Sequence, residues 1–316
     1  MQVAIIGAGA VGSSIAAFML NYTHITKVVL YARTIEKAKG KTLDLNAAAS
    51  VSGILNGKTV FHPTASYSDI AGSDVIVVAC GVPRSPGMSR EDLIDINASL
   101  IGEIAVNIAK HAPNAFVIVI TNPLDIMTQM TYIRSGLPAN MVCGMAGVLD
   151  SARFAWLLAA KLGVAANDIN AMVLGGHGDS MLPLISKVTV AGVPLQLFID
   201  SGAIRQSEID DIVQKVRDSG MEIIELLGHS AHYSTAIATI KMIQSYLFDI
   251  KNVMPCSTLL NGEYGISGTY VGVPVVIGRG GVEKVLELSL NNEEKKLFRQ
   301  SALAIKNNVE LLTKIK

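Results

Sequence analysis

Several side chains have the types and spacing needed to move a proton beside a bound anion. His177 lies in the glycine-rich stretch 175–180 after an apolar run, and these glycines leave its imidazole with little steric cover. Imidazole changes charge near neutral pH, so it can act as a base or as an acid. Asp150 and Arg153 are three residues apart at a predicted helix start and therefore share one face of that helix.

Simpler interpretations of these residues remain open at this point. Asp150 could cap its helix next to an unrelated arginine. Asp179 could join His177 at a metal, but no second histidine or cysteine lies at ligand spacing, so no metal site is expected. Most histidines of a globular chain have no catalytic role, and this is the expectation for His24, His62, His111, His229 and His232.

Two further stretches follow predicted strands and carry polar side chains. Residues 81–90 place Arg84 and Arg90 on a loop too rich in glycine and proline to be helix or strand. Asn122 lies in residues 121–125, after another apolar strand. Loops after parallel strands meet at the carboxyl edge of the sheet, where ligands bind. The alternatives are solvated surface arginines and an asparagine that caps the following turn.

The elements that must position these side chains begin with a strand, a glycine turn and a helix. Residues 2–6 are a short apolar strand, and residues 13–20 have helical character. Between them, Gly7 allows a tight turn, Gly9 lets backbone approach a pyrophosphate, and Gly12 lets helix and strand pack closely. The GxGxxG pattern alone is weak, but with a strand before it and a helix after it, it predicts dinucleotide binding.

Composition narrows the class of protein. The 316 residues are 50% hydrophobic but only 5% aromatic, which suits parallel strands buried on both faces. Lys plus Arg equals Asp plus Glu at 26 each, so charge gives no support to a nucleic-acid partner. Three well-separated cysteines, Cys80, Cys143 and Cys256, predict neither a disulfide scaffold nor a zinc site. The mean hydropathy is +0.42, yet no apolar run is long enough to span a membrane, and a cytoplasmic location is expected.

The pattern of strands and helices predicts two domains of the α/β class. Residues 1–144 alternate strands and helices, which predicts a Rossmann-type doubly wound parallel sheet that binds a dinucleotide. Residues 145–316 have a mixed pattern, which predicts an α+β domain for the substrate, with a cleft between the two. The predicted strands are 2–6, 27–31, 60–61, 74–79, 115–120, 170–174 and 271–277, with a hairpin at 187–195. The predicted helices are 13–20, 34–46, 92–110, 149–161, 208–227, 233–247 and one from 292.

Five motifs together carry a family resemblance: residues 7–12, 81–90, 121–125, 149–154 and 175–180. In this order and at this spacing, the chain resembles the lactate and malate dehydrogenase superfamily, in particular its lactate-dehydrogenase-like malate dehydrogenases, over nearly all of its length. The resemblance implies reversible hydride transfer between a nicotinamide and the 2-carbon of a 2-hydroxy acid. It also implies a homotetramer or a homodimer and a role in the tricarboxylic acid cycle.

The resemblance assigns roles that suit the residue types. His177 would be the base for the hydroxyl proton and the acid in reverse, with Asp150 holding its tautomer and stabilising its cation. Arg153 would bind the substrate's 1-carboxylate with two hydrogen bonds. Arg90 would polarise the substrate carbonyl as its loop closes, and Asn122 would contact substrate and cofactor.

Recognition of a second carboxylate on the substrate is expected to depend on Arg84. The family has arginine at the matching position in malate enzymes and glutamine in lactate enzymes, so malate and oxaloacetate are expected. Two alternatives stay open: a dehydrogenase for lactate or another 2-hydroxy acid, and a dinucleotide-binding sensor without catalysis. Ser234 and Thr235 could line the substrate pocket, although ordinary helix packing would also explain them.

The cofactor is expected to be NADP in preference to NAD, or both. Members that use NAD usually have an acidic residue at the end of the second strand, where this chain has Ala32. Without that carboxylate a 2′-phosphate is not repelled, and Arg33 and Thr34 could bind it, with some help from Lys37. Alternatively, Arg33 points to solvent and NAD binds through backbone contacts. The full set of expected cofactor-binding residues is Gly7, Gly9, Ala10, Val11, Gly12, Arg33, Thr34, Asn97 and Asn122.

Overall fold

A computed structural model of the chain describes residues 1–52, 59–82 and 90–314. Strands and helices alternate in its first part, as the sequence predicts. The strands are β1 (Gln2–Ile6), β2 (Lys27–Tyr31), β3 (Val60–Thr64), β4 (Val75–Val78), β5 (Phe116–Val119) and β6 (Val142–Gly144). The helices are α1 (Ala10–Phe18), α2 (Ile35–Ser52), α3 (Arg90–His111) and α4 (Leu124–Ser135).

These six strands form the parallel sheet that the composition suggested. Their spatial order is β3-β2-β1-β4-β5-β6, and every neighbouring pair is parallel. All residues of β4 and β5 are buried, as expected for short Val and Ile runs covered on both faces. The chain direction across the sheet reverses between β1 and β4, where doubly wound sheets bind their ligands. The predicted fold class is therefore confirmed.

The second part is a mixture of helices and mostly antiparallel strands, also as predicted. Its helices are α5 (Gly147–Leu162), α6 (Leu195–Asp200), α7 (Gln206–Leu227), α8 (Tyr233–Leu247) and α9 (Asn292–Lys314). Its strands are β7 (Ile169–Asn170), β8 (Val173–Gly175), β9 (Met181–Pro183), β10 (Thr189–Val190), β11 (Val193–Pro194), β12 (Asn252–Asn261), β13 (Ser267–Gly278) and β14 (Gly281–Val285).

The two parts share one sheet and much of one core. Strand β12 pairs antiparallel with β6, and the sheet continues through β13, β8 and β9. The larger hydrophobic cluster extends from β1 to β13 and α9, while a smaller one lies between α5, α7 and the small sheet β11-β10-β7. The carboxyl ends of β4 and β5 are thereby brought next to elements of the second part.

Several elements differ from the sequence prediction. The predicted strand 170–174 is two strands, because β7 pairs with β10 whereas β8 pairs with β13 and β9 in the large sheet. Strand β12 was missed, since its sequence does not alternate and Pro255 argues against a strand. Helix α2 continues to Ser52, six residues beyond its predicted end. The short strand β6 and helix α4 were not predicted either.

Replacement of Gly12 by alanine is expected to destabilise the fold, whereas the same change at Gly9 is not. A Cβ at Gly12 would collide with the backbone carbonyl of Gly7, so α1 would have to move away from β1. At Gly9 no atom lies within 4 Å of the Cβ position, and its φ of −80° suits alanine. We expect Gly12→Ala to lose about 1–3 kcal/mol in urea-induced unfolding. Equal stabilities of the two variants would contradict this packing.

Candidate active site

A cleft opens at the carboxyl edge of the sheet, where the strand order reverses. Its walls come from the segments that follow β1, β2 and β4, together with part of α3. Its lining is mostly apolar or backbone, as is usual for the site of a flat organic ligand. The residues after β1 that line it are Gly7, Ala8 and Gly9.

Glycine is present for a different structural reason at each of the three positions after β1. Gly7 has a φ of 126°, and a Cβ there would lie 2.7 Å from the carbonyl oxygen of Ala79. Gly12 is required by the close packing of α1 on the Gly7 turn. A Cβ at Gly9 would have no atom within 4 Å, so the space beside this residue is open toward the cleft. This arrangement leaves room for a group that lies directly on the backbone at Gly9.

The start of α1 suits an anion. Gly9 is the N-cap and supplies no side-chain hydrogen bond, and no acidic residue lies in the first turn. The first N–H groups of a helix, here those of Ala10, Val11 and Gly12, have no carbonyl partner within the helix. Because the helix dipole also favours negative charge at this end, the start of α1 is suited to bind an anion such as a pyrophosphate.

The other end of the cleft carries positive charge. Ala32, which follows β2, is buried and brings no charge, whereas Arg33, Thr34 and Lys37 line the cleft with exposed side chains. No carboxylate is among the described residues that line the cleft. The described charge at this end of the cleft is therefore positive.

Asn97 connects the loops after β4 and β5. Its side chain is 1% exposed, and its Oδ1 accepts a hydrogen bond from the Val82 N–H at 2.8 Å. Its Nδ2 donates to the carbonyl of Val82 at 3.2 Å and to that of Asn122 at 2.9 Å. Asn97 thus holds both loops in place, while the side chain of Asn122 is exposed and available to a ligand. A direct contact of Asn97 with a cofactor stays a prediction.

His177, Asp150 and Arg153 come together as the sequence motifs suggested. The Nδ1 atom of His177 lies 2.7 Å from Oδ2 of Asp150, and Nη1 of Arg153 lies 3.6 Å from Oδ1 of Asp150. Asp150 and Arg153 lie in the first two turns of α5, and His177 follows β8. Asp150 is 1% exposed, but the other two side chains retain some exposure. The carboxylate is thus buried behind an imidazole and a guanidinium that a ligand can reach.

The electrostatic balance at His177 favours the imidazolium. Burial by itself lowers the pKa of His177, but the charge and hydrogen bond of Asp150 and the charge of Asp125 together raise it. Arg153 acts in the opposite direction, and the net result is a pKa above the ordinary value. Burial lowers the pKa of Arg153, although the neighbouring Asp150 opposes this shift. An imidazole poised in this way can both store and release a proton.

The side chains of two predicted substrate residues lie outside the part of the chain that the structure describes. Arg84 lies outside the described residues. Helix α3 begins at Arg90, but its side chain is outside the described part of the chain as well. The described residues on either side, Val82 and the body of α3, border the dinucleotide cleft. The roles of both arginines therefore stay predictions from the sequence.

Two polar side chains near His177 were not singled out from the sequence. Oδ2 of Asp125 accepts a hydrogen bond from the backbone N–H of His177 at 2.8 Å. Oγ of Ser301 accepts one from the N–H of Gly176 at 2.8 Å. Asp125 stands in the same motif as Asn122 and could have been suspected, but nothing near Ser301 in the sequence points to this loop.

Helix α8 begins beside α1, and the side chain at its N-cap contacts that helix. The Nδ1 of His232 lies 2.9 Å from Oγ of Ser14 on α1, and the expected absence of a catalytic role for His232 stays a prediction. Thr235 is buried and donates to the carbonyl of Ala231 at 3.0 Å, which agrees with ordinary helix packing. Ser234 is exposed. A pocket-lining role is thus compatible with Ser234 rather than with the hydroxyl of Thr235.

Within residues 1–52, 59–82 and 90–314, no three His, Cys, Asp or Glu side chains are grouped in a way that would hold a metal ion. In the same ranges, no helix has both the length and the apolar character needed to cross a membrane.

Comparison with known proteins agrees with this geometry. A family model described as the lactate/malate dehydrogenase NAD binding domain matches residues 1–144, and the corresponding alpha/beta C-terminal domain matches residues 147–315. A curated malate dehydrogenase of Ehrlichia canis (strain Jake) is 48% identical over 309 residues, which are 98% of this chain and 97% of that relative.

Solved structures of both enzyme types are similar to this chain. The malate dehydrogenase of Cryptosporidium parvum has a TM-score of 0.94 at 44% identity and covers 99% of each chain. A lactate dehydrogenase of the same organism, complexed with lactic acid and nicotinamide adenine dinucleotide, has a TM-score of 0.94 at 41% identity. That match covers 99% of this chain and 98% of the other. The chain belongs to the lactate/malate dehydrogenase family.

Proposed function

We propose that this chain catalyses the reversible oxidation of malate to oxaloacetate with a nicotinamide dinucleotide. The observation that carries the proposal is the buried Asp150 carboxylate, which joins the imidazole of His177 and the guanidinium of Arg153 near the carboxyl edge of a dinucleotide-type sheet. The 48% identity to a malate dehydrogenase over nearly the whole chain supports this substrate.

His177 would accept and return the proton of the substrate hydroxyl. Because Asp150 accepts the Nδ1 hydrogen, the neutral imidazole presents the lone pair of Nε2 to the substrate hydroxyl. As the substrate is oxidised, Nε2 takes the hydroxyl proton, and the resulting cation is stabilised by the Asp150 carboxylate. In the reverse direction the imidazolium returns this proton to the carbonyl oxygen.

The substrate would be held by arginines. Arg153, partly exposed in front of Asp150, can form two hydrogen bonds with the 1-carboxylate and so fix the 2-carbon. We propose that Arg84 pairs with the second carboxylate and that Arg90 polarises the carbonyl. Asn122, exposed at the end of the same sheet edge, can contact both substrate and cofactor.

The glycine turn and the start of α1 would hold the cofactor's pyrophosphate, and the bound nicotinamide supplies or accepts the hydride. The similar lactate dehydrogenase of Cryptosporidium parvum is described with a nicotinamide adenine dinucleotide bound. We propose that this chain prefers NADP or uses both cofactors, because Arg33, Thr34 and Lys37 line the cleft where an acidic residue would reject a 2′-phosphate.

The organisation of the molecule is proposed on separate grounds. We assign residues 1–144 to the dinucleotide domain and residues 145–316 to the substrate domain. Large apolar side chains exposed on α2, α7 and α8 support a homodimer or homotetramer, among them Leu43, Val51, Leu226, Leu227 and Ile237. The three cysteines are free thiols, which supports a reducing compartment such as the cytoplasm.

Lactate dehydrogenase is the second candidate. A solved lactate dehydrogenase matches this chain with the same TM-score as a malate dehydrogenase, so overall similarity does not separate the two activities. Pyruvate lacks the second carboxylate and would leave Arg84 unpaired in a closed site. Arg84 is therefore the residue on which the choice between them rests.

Replacement of Asp150 by asparagine is expected to lower both the rate and the pKa that governs it. The reduction of oxaloacetate needs the imidazolium, so its rate falls as the pH rises through the pKa of His177. Asp150 raises this pKa, and without its charge the fall should occur at lower pH. We expect kcat to decrease about a hundredfold or more. An unchanged pH profile of kcat/KM would contradict the assignment, and Asp168→Asn on the exposed surface is the control.

Replacement of Arg33 by alanine is expected to reduce the use of NADPH much more than that of NADH. Loss of one charge-assisted contact with the 2′-phosphate should lower kcat/KM for NADPH about tenfold. Lys39→Ala, an exposed lysine of α2 that does not line the cleft, should change neither value. Equal effects on both cofactors, or a strong NADH preference of the unmodified chain, would refute the NADP proposal.

Replacement of Arg84 by glutamine is expected to weaken the use of oxaloacetate selectively. Loss of a charge-assisted pair worth about 1.5–3 kcal/mol should lower kcat/KM for oxaloacetate about 10- to 150-fold, while the value for pyruvate stays level or rises. Steady-state rates with both substrates test this. If the two substrates lose activity equally, Arg84 does not bind the second carboxylate.

A further inference from the structure

The loop that carries His177 is held through its backbone by two distant side chains. The N–H of Gly176 donates to Oγ of Ser301 on α9, and the N–H of His177 donates to Oδ2 of Asp125 in the first turn of α4. Both donor–acceptor distances are 2.8 Å. These partners are 125 and 52 residues away in the sequence, so two consecutive amides are held by different parts of the fold.

The loop has little means of holding this conformation by itself. Gly175 has a φ of 81° and Gly178 a φ of 115°, values that glycine adopts readily but that cost it more conformational entropy on ordering. Ser301 also donates to Oγ of Ser180 at 3.0 Å and therefore connects both ends of the loop. Its side chain is 3% exposed, so solvent competes little for these hydrogen bonds.

Burial of the Asp125 carboxyl costs free energy that an apolar side chain at this position would not. Asp125 is 4% exposed, and the hydroxyl of Ser257 and the N–H of His177 are polar groups beside its carboxyl that favour the charged form. Burial raises the pKa of this carboxyl, so the neutral form is favoured relative to an exposed aspartate. Removing a carboxylate from water costs free energy that its hydrogen bonds must offset. A role at the neighbouring histidine would explain its presence.

Among the described residues, three side chains place charges that act on the imidazole of His177. Asp150 lies against Nδ1, Asp125 lies beside the backbone of the same residue, and Arg153 adds the opposing positive charge. Asp125 thus has two separable effects: it accepts a backbone hydrogen bond and it places a negative charge near the ring. Asparagine would retain the acceptor and remove the charge, whereas alanine would remove both.

We propose that Asp125 and Ser301 are positioning residues that hold the backbone of the His177 loop so that the imidazole meets Asp150 and the substrate together. This inference deepens the proposed function and rests on His177 being its proton carrier. Displacement of a reacting group by about 1 Å can reduce a rate by two orders of magnitude, so anchors that do not touch the substrate can still control kcat.

The test compares Asp125→Asn, Asp125→Ala and Ser301→Ala with a matched control. The control is Ser245→Ala. Like Ser301, Ser245 is buried, and its Oγ accepts a hydrogen bond from one backbone N–H and donates one to a second group. Its partners, Asn252 and Ile277, do not belong to the His177 loop. For each variant the thermal midpoint, kcat, both KM values and the pH profile are measured. The pKa of His177 is measured without substrate by NMR of the chain labelled with 13C-histidine, the signal being assigned with His177→Asn.

We expect Asp125→Ala and Ser301→Ala to lose kcat about tenfold or more with little change in the KM of the cofactor. Ser245→Ala should lose stability without this loss of kcat. Asp125→Asn should retain more kcat than Asp125→Ala, while the pKa of His177 falls because a negative charge is removed. If Asp125→Ala does not fold, the kcat of Ser301→Ala relative to that of Ser245→Ala decides the matter.

The proposal is overturned if Asp125→Ala has the kcat of Asp125→Asn or if Ser301→Ala has the kcat of Ser245→Ala. Failure of the proposed function would look different. The unmodified chain would then reduce neither oxaloacetate nor pyruvate, yet the substrate-free titration of His177 would still report on both anchors.

Discussion

The hydrogen bond between the buried Asp150 carboxylate and Nδ1 of His177 is the interaction on which the site depends. A carboxylate that is 1% exposed must be paired with a cation or with hydrogen-bond donors, and here His177 and Arg153 supply both. Asp150 in turn fixes the tautomer and the ring orientation of His177. The loop after β8 must therefore approach the start of α5, and much of the second part of the chain serves this approach.

The parallel sheet meets this requirement together with the antiparallel strands that continue it. Because all six strands of the first part run in one direction, the loops after β1, β2, β4 and β5 lie at one edge. Strand β12 pairs with β6 and extends the sheet toward β8, so the His177 loop meets Asp125 just beyond that edge. The dinucleotide-type cleft and the His177–Asp150 pair are thus built on one continuous sheet.

Some features of the site are formed by residues close in sequence, and others by elements that are distant in sequence. The glycine turn is determined by contacts within one strand, one turn and one helix, because Gly12 packs on Gly7 itself. The charge at the far end of the cleft also follows from neighbouring residues, Arg33 and Thr34 after Ala32. In contrast, the environment of His177 is assembled from α4, α5, α9 and the loop after β8, which are distant in sequence.

The sequence by itself determined the fold class, the nucleotide-type turn and the residues most suited to catalysis, because these depend on short-range periodicity and on residue types within single motifs. The split of residues 170–174 into two strands and the missed strand β12 depended on pairing partners far along the chain, which local patterns do not record. For the same reason, only the tertiary structure revealed that Asn97 joins two loops and that Asp125 and Ser301 anchor the His177 loop. Their roles arise from backbone groups that any residue could present, so their chemistry becomes visible only when the chain is folded.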